Sequence, residues 1–424
     1  MEFLEEMEYV GDIPEGWKWV KLGDEIEIIS GGTPKTNKLE YWNGNIPWLT
    51  IADFNNVNKY VDKAQKTITE IGLSESSTKL LKPGDIIISA RGTIGAIAVV
   101  KKEMAFNQSC YGIRSKSNEI YQDFLYYLLK NSINMLLKNS YGAVFDTITR
   151  ETFSLLFCPL PPLPEQKAIA DVLSSIDNKI ELLHRQNKTL EEMAMALFRQ
   201  WFIEPTKDGL PDGWEEVSLG EFIKEILSGD WGKDKPEGEY KVAVNCIRGT
   251  DISDLQNALP KKTPVRFLKE SKFKSIEPKD GDIIIEISGG TEDQSTGRAI
   301  YINSLNRQLF EYPIIFSNFC RLLRPKENYY TYYLYLYLKY LYINDEFFSL
   351  ENGTSGINNL DYKALLYDLK YPMPKNTEIY SSFYENVSIL FEKIDRNKLQ
   401  IQTLEKLRDT LLPKLMSGEV RVKF

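Results

Sequence analysis

The stretch from Pro159 to Phe202, PLPPLPEQKAIADVLSSIDNKIELLHRQNKTLEEMAMALFRQWF, admits few folds. Taken in alternating steps of four and three, it presents Ile169, Leu173, Ile176, Ile180, Leu183, Asn187, Leu190, Ala194, Leu197 and Trp201. An apolar repeat of about 3.5 residues marks a coiled-coil seam rather than a helix lying on a globular core. Pro164 suits a first helical turn, where its missing N–H has no partner anyway, and Glu165 favours the positive helix start. The spacing predicts a helix from about residue 164 to about residue 203, roughly 60 Å long at ~1.5 Å per residue.

A single seam needs a partner, and the same chain carries one. The slots recur as Phe383, Val387, Leu390, Ile394, Asn397, Ile401, Leu404, Arg408, Leu411 and Leu415. Lys393-Ile394 repeats Lys179-Ile180, and Thr403-Leu404-Glu405 repeats Thr189-Leu190-Glu191. Each seam holds one asparagine, Asn187 or Asn397, a residue type that sets register at some expense of stability when buried. The plainer alternative is two unrelated amphipathic helices in two separate cores. Strict spacing in both copies weighs against it.

The repetition reaches beyond the helices. Ile13-Pro14-Glu15-Gly16-Trp17 leads into Val20-Lys21-Leu22-Gly23-Asp24, and Leu210-Pro211-Asp212-Gly213-Trp214 leads into Val217-Ser218-Leu219-Gly220-Glu221. Lys82-Pro83-Gly84-Asp85-Ile86-Ile87-Ile88 returns as Lys279-Asp280-Gly281-Asp282-Ile283-Ile284-Ile285. The chain therefore reads as an internal duplication. The expected fold class is α+β, with two mixed α/β units separated by two long coiled-coil helices. If those helices pair antiparallel, a pseudo-two-fold axis relates the halves. The expected organisation is an N-terminal unit over residues 1–158, a first spacer helix over 159–205, a C-terminal unit over 206–374, and a second spacer helix with a tail over 375–424. Residues 1–11 read as a loose arm.

Composition narrows the function. A hydrophobic fraction of 42% and a charged fraction of 26% describe a globular protein, and no apolar run approaches the ~18 residues of a membrane span. The N-terminus lacks a charged-then-apolar leader, so a cytoplasmic location is expected. Cys110, Cys158, Cys246 and Cys320 are scattered without a CxxC pair and read as buried thiols. The one histidine, His184, lies on the first long helix and disfavours His-rich metal sites. Neither a phosphate-binding G-x-x-x-x-G-K-[ST] loop nor a G-x-S-x-G elbow is present. The net charge of −8 argues against nucleic-acid binding unless the acids collect away from one positive face.

Inside the units, Ile86 to Ser89 and Ile97 to Val100 read as short buried strands. Asp123 to Leu137 reads as a helix, with Tyr329 to Tyr342 as its counterpart. The tyrosine stripe there fits a packed helix better than a stacking platform. Loops rich in Gly, Ser, Thr, Asn and Arg offer the polar groups. In the first unit Ser30, Gly31, Gly32, Thr33 and Lys35 suit phosphate, or form an ordinary polar turn. Arg91 and Thr93 place a cation on a turn at a strand end, where guanine pairing and a structural salt bridge compete. Asn107 and Gln108 could read adenine or cap a strand. The parallels in the second unit are Trp231 and Lys233, Arg248 and Thr250, Ser288 and Gly289 with Thr291 and Arg298, and Asn318. Asp282 and Glu286 near a strand suggest a metal nuclease, but Ser288 stands where that arrangement needs a lysine. Two unlike readers on a rigid spacer suit a target of two short half-sites with an unread gap.

In these segments the chain resembles the DNA specificity subunits of type I restriction–modification systems. The residues carrying the resemblance are the IPEGW and LPDGW openings, GGTPKTNKLEYWNGNIPWLTIADF (31–54), KPGDIIISARGTIG (82–95), FNQSCYGIRS (106–115) and above all PLPPLPEQKAIADVLSSID (159–177). SGDWGKD (228–234), NCIRGTDIS (245–253), ISGGTEDQSTGRAIYI (287–302) and LRDTLLPKLMSGEVRV (407–422) extend it over nearly the whole chain. One departure is visible, because after Pro372-Met373-Pro374 the second helix lacks the PLPEQ form. The resemblance implies two target recognition domains and antiparallel spacer helices. It also implies double-stranded DNA bound at an asymmetric bipartite site, two methyltransferase subunits, restriction subunits, and neither cofactor nor catalysis in this chain. Exposed helix residues Arg185, Lys188, Glu191 and Glu192 would meet the methyltransferases, or form a solvated face. The alternative function is a coiled-coil scaffold that binds protein without reading DNA.

Overall fold

The computed structural model describes residues 13–55, 59–138, 147–154, 156–256, 263–290, 294–352 and 358–423. The expected arm over residues 1–11 and the candidate Thr291 lie outside them. The chain divides into two compact units, Met1–Glu181 with Leu404–Phe424, and Leu182–Thr403.

The first unit carries strands β1 (Lys18–Lys21), β2 (Ile26–Ser30), β3 (Trp42–Leu49), β4 (Tyr60–Val61), β5 (Lys66–Ile68), β6 (Leu80–Leu81), β7 (Ile86–Ser89), β8 (Ile97–Val100), β9 (Met104–Phe106), β10 (Cys110–Ser115) and β11 (Phe157–Leu160). They form one sheet in the order β2-β10-β7-β8-β4, a second in the order β5-β3-β9-β6, and the antiparallel pair β1-β11. The expected strands at 86–89 and 97–100 are present and buried throughout. Gly84, at φ +91°, makes the turn into β7, and Asp85 fastens it by accepting from the Lys82 N–H at 2.7 Å. Arg114 on β10 then pairs with Asp85.

Helix α1 (Gln122–Lys138) packs one face of the first sheet through Phe124, Leu125, Tyr127 and Leu128. The long helix α2 (Leu163–Phe198) begins in this unit. The Pro162 carbonyl accepts from the N–H groups of Glu165 and Gln166 at 2.9 and 3.0 Å. Both side chains are buried and hydrogen-bonded. Glu165 accepts from the Trp17 indole at 3.0 Å and from Arg421, while Gln166 donates to the carbonyls of Glu119 and Pro161 and accepts from the Tyr121 N–H. The tryptophan opening and the PLPEQ segment thus close on each other. Further along, the Tyr127 hydroxyl donates to Asp177 at 2.6 Å, and Asp177 pairs with Arg408 at 2.8 Å.

The second unit repeats the plan through β12 (Trp214–Val217), β13 (Ile223–Ser228), β14 (Tyr240–Ile247), β15 (Val265–Lys269), β16 (Ile283–Glu286), β17 (Ser288–Gly290), β18 (Ala299–Tyr301), β19 (Ile314–Phe316), β20 (Cys320–Pro325), β21 (Glu351–Asn352), β22 (Asn358–Leu360) and β23 (Tyr371–Pro374). The order β13-β20-β16-β18 matches β2-β10-β7-β8, and β12-β23 matches β1-β11. Antiparallel β15-β14 followed by parallel β14-β19 matches β5-β3 followed by β3-β9. The turn before β16 repeats as well, with Gly281 at φ +93°, Asp282 accepting from the Lys279 N–H at 2.7 Å, and Arg324 on Asp282. A further small sheet, β17-β22-β21, belongs to this unit alone among the described residues.

Helix α3 (Thr331–Ile343) buries Tyr332, Tyr333, Tyr335 and Tyr337, so the tyrosine stripe is core. The second long helix α4 (Glu378–Ser417) starts where Asn376 caps the Glu378 N–H at 3.0 Å, in place of the missing PLPEQ form. Here Phe202 meets Phe383, and the Asn397 amide donates to Asn187 at 2.8 Å. Positions therefore fall on α2 as they rise on α4, which is antiparallel pairing. The Asp177–Arg408 and Glu165–Arg421 contacts run the same way inside the first unit.

Candidate nucleic-acid interface

In each unit four loops gather at one rim of the sheets, and the same backbone hydrogen bonds hold them. In the first unit the Gly32 N–H donates to Phe106 O at 3.0 Å, the Asn107 N–H to Leu49 O at 3.0 Å, and the Ala90 N–H to Ser109 O at 2.8 Å. In the second unit the Asp230 N–H donates to Phe316 O at 3.0 Å, the Ser317 N–H to Ile247 O at 2.9 Å, and the Ile287 N–H to Phe319 O at 2.9 Å. The rim therefore combines the ends of β2, β3, β7 and β9, or of β13, β14, β16 and β19. Backbone approaches at this rim require glycine. A Cβ on Gly31 would stand 2.1 Å from Asn107 O, and one on Gly229 would stand 2.2 Å from the carbonyls of Phe316 and Ser317.

The first rim collects the residues expected there. Ser30 accepts from Arg150 at 2.9 Å, an arginine the sequence reading passed over. Thr33 donates to Gln108, and Lys35 is exposed. The Gly32 carbonyl accepts from the Trp48 indole at 3.0 Å, which fixes the glycine loop to β3. Asn107 accepts from the Ser109 N–H at 3.1 Å, a turn-forming contact. Arg91 and Thr93 are exposed on the loop after β7, and Arg91 makes no ion pair among the described residues. The Thr93 carbonyl accepts from the Ser89 hydroxyl at 2.5 Å.

The second rim differs in chemistry. Trp231 is 37% exposed, and the Arg266 guanidinium lies 4.4 Å from its ring centre while pairing with Asp234. Lys233 pairs with Glu237 at 2.6 Å. Arg248 is engaged by Asp251 through two bonds of 2.7 and 2.9 Å, which raise its pKa further. Arg298 is mostly buried and grips Glu286 at 2.6 and 2.8 Å. Arg248 and Arg298 hold the loops together, and of the buried acids Glu286 is the counter-ion of Arg298 and Asp282 that of Arg324. Among the described residues no three His, Cys, Asp or Glu side chains stand close enough to hold a metal. Thr250, Gly289 and Asn318 are exposed at the rim and Ser288 is half-buried.

The helix residues separate in the same way. Arg185 is exposed, and Lys188 lies 3.9 Å from Glu192 on an open face. Glu191 turns inward to Lys339 on α3 at 2.7 Å, beside an open groove of about 610 Å³ lined also by Met195, Arg199 and Ile343. All four cysteines are buried and free, and burial pushes the Cys110 and Cys320 thiols up to about 12. No helix among the described residues is long and apolar enough to cross a membrane.

A duplicated α+β unit with a polar loop rim, strung on paired helices, is the class of protein these features define. The family model for the type I restriction modification DNA specificity domain matches twice, over residues 14–192 and 211–407. The type I restriction enzyme MjaIX specificity subunit of Methanocaldococcus jannaschii is 32% identical over 441 residues, covering 98% of this chain and 96% of that protein. The MjaVIII specificity subunit of the same organism is 26% identical, covering 97% and 94%. The crystal structure of a type I restriction–modification S subunit from M. genitalium shares the fold, with a TM-score of 0.52 at 19% identity, covering 96% of this chain and 98% of that one. The chain belongs to the family of type I restriction–modification specificity subunits.

Proposed function

We propose that this chain is the sequence-reading, non-catalytic subunit of a type I restriction–modification complex. Its two rims bind the two unlike halves of one bipartite site on double-stranded DNA. Methyltransferase subunits, two per chain, and restriction subunits dock on it and supply the chemistry. The observation that carries the reading is the repeated rim, with one scaffold of backbone bonds bearing different exposed side chains in each unit. A conserved frame with variable tips is what two different short sequences require, since backbone contacts position and side-chain contacts specify. The first rim offers Ser30, Thr33, Lys35, Arg91 and Gln108. The second offers Trp231, Lys233, Thr250 and Asn318. Arg185, Lys188 and Glu192 on the open face of α2 supply a docking surface for the methyltransferases.

Exchanging residues 1–158 for the matching segment of a relative and sequencing the methylated sites of the host tests this. One half-site should change and the other should persist. An unaltered site would overturn the reading.

A further inference from the structure

Phe319 stands out on the second rim. It is 54% exposed, and it belongs to neither of the buried apolar clusters of its unit. Its backbone is well fixed. The Phe319 carbonyl accepts from Ile287, the Cys320 N–H donates to Ser317 O at 3.0 Å, and Arg321 donates to Asn318 O at 3.0 Å. The shared backbone bonds make Ser109 its counterpart in the first unit, where the same turn carries a hydroxyl. A rigid turn that presents a large apolar ring among polar neighbours is suited to an apolar feature on its ligand. Its exposed neighbour Asn318 makes no side-chain hydrogen bond among the described residues, and a free carboxamide matches the N6 and N7 edge of adenine. Among the base edges of the major groove, the thymine C5-methyl is the apolar one.

Building on the DNA-reading role above, we infer that Phe319 is a specificity-determining residue that packs on the methyl group of a thymine, with Asn318 reading adenine beside it. Phe319 then contacts one particular thymine of the half-site read by the second unit, and the first unit, with Ser109 at this position, makes no such contact.

The test uses the full chain reconstituted with its methyltransferase subunits and a duplex carrying the methylated site of the host. The half-site left unchanged by the exchange of residues 1–158 is the one the second unit reads. Each thymine in it is replaced in turn by deoxyuridine, which lacks the methyl. One replacement should weaken the wild-type complex about fourfold, the worth of one buried methyl. Phe319→Ala should bind the thymine duplex at least that much more weakly and be indifferent to the same replacement. Phe319→Leu should keep part of the discrimination. A wild-type complex that binds target and scrambled duplexes alike removes the DNA-reading role and this inference together. A wild-type preference that Phe319→Ala retains, with the uracil penalty intact, removes only the inference. So does a wild-type complex that no deoxyuridine replacement weakens, or an equal loss by Phe319→Ala on every duplex.

Discussion

At position 91 an arginine stands in solvent on the loop after β7, while at position 298 the same side chain is locked onto Glu286, whose side chain is 1% exposed. Removing the two should therefore have opposite consequences. Arg298→Ala leaves a buried carboxylate unpaired and should lower stability by about 3–5 kcal/mol, seen as an earlier urea midpoint. Arg91→Ala should leave the stability within about 0.5 kcal/mol of wild type. It should weaken binding to one half-site by ~1–3 kcal/mol if the guanidinium reads a base. Equal weakening on unrelated duplexes would assign it to phosphate instead. His184 gives a pH signature. Burial lowers its pKa, so the folded state holds its proton less tightly than the unfolded chain. Stability should fall as pH drops through the ordinary histidine range near 6.5 and level off below the lowered folded value. With one histidine in the chain, His184→Gln should flatten the thermal midpoint between pH 5.5 and 7.5, measured against wild type in the same buffers. The sequence marked both arginines as candidates with equal weight, because a pattern of residue types does not say which acid will be buried beside which base.

At the scale of elements, the long helices were the most legible part of the chain. The seam residues Ile169, Leu173, Ile180, Leu183, Val387 and Ile401 are buried as their spacing requires, and α2 covers 163–198 against an expected 164–203. Periodicity over many residues is a strong signal because every turn repeats the same instruction. The Asn187–Asn397 contact was legible only as two asparagines in two seams, since their meeting depends on helix direction. It supports a prediction. Asn187→Leu strands the Asn397 amide and should cost about 1–3 kcal/mol, whereas changing both to Leu should recover the loss or exceed it. Thermal melts of the two single variants and the double variant decide this. A double variant that loses the sum of the single costs would show that the pair does not act as a unit. Strands such as β4 and β6, two residues each, were illegible because their extended form is imposed by neighbouring strands rather than by their own composition.

For the whole molecule, the sequence duplication and the charge balance pull in different directions. The duplication is borne out in the repeated sheet orders. The net charge of −8 looks unfavourable for a DNA-binding chain, and the internal pairs Asp85–Arg114, Asp282–Arg324 and Glu286–Arg298 cancel charge one for one and leave that balance unchanged. The remaining cations at the rims act locally, because charges beyond about 8–10 Å are screened at physiological salt. Affinity of the reconstituted complex for its target should still fall steeply with salt. With six phosphate contacts or more, the drop between 50 and 200 mM is on the order of 10³ or greater. Anisotropy titrations at three salt concentrations measure the slope, and a flat slope would contradict phosphate contact.

The sequence by itself determined that two like units are joined to two long helices, because a duplication and a heptad repeat are written residue by residue along the chain. It also placed the polar loops. Only the tertiary structure decided which of their side chains remain available. Arg298, Arg248 and Glu191 are taken up by partners, while Arg91 and Phe319 are left to solvent. Only the fold, likewise, brought Trp17 to Glu165 across the chain. Pairing of that kind depends on distance in space, and local pattern carries no record of it.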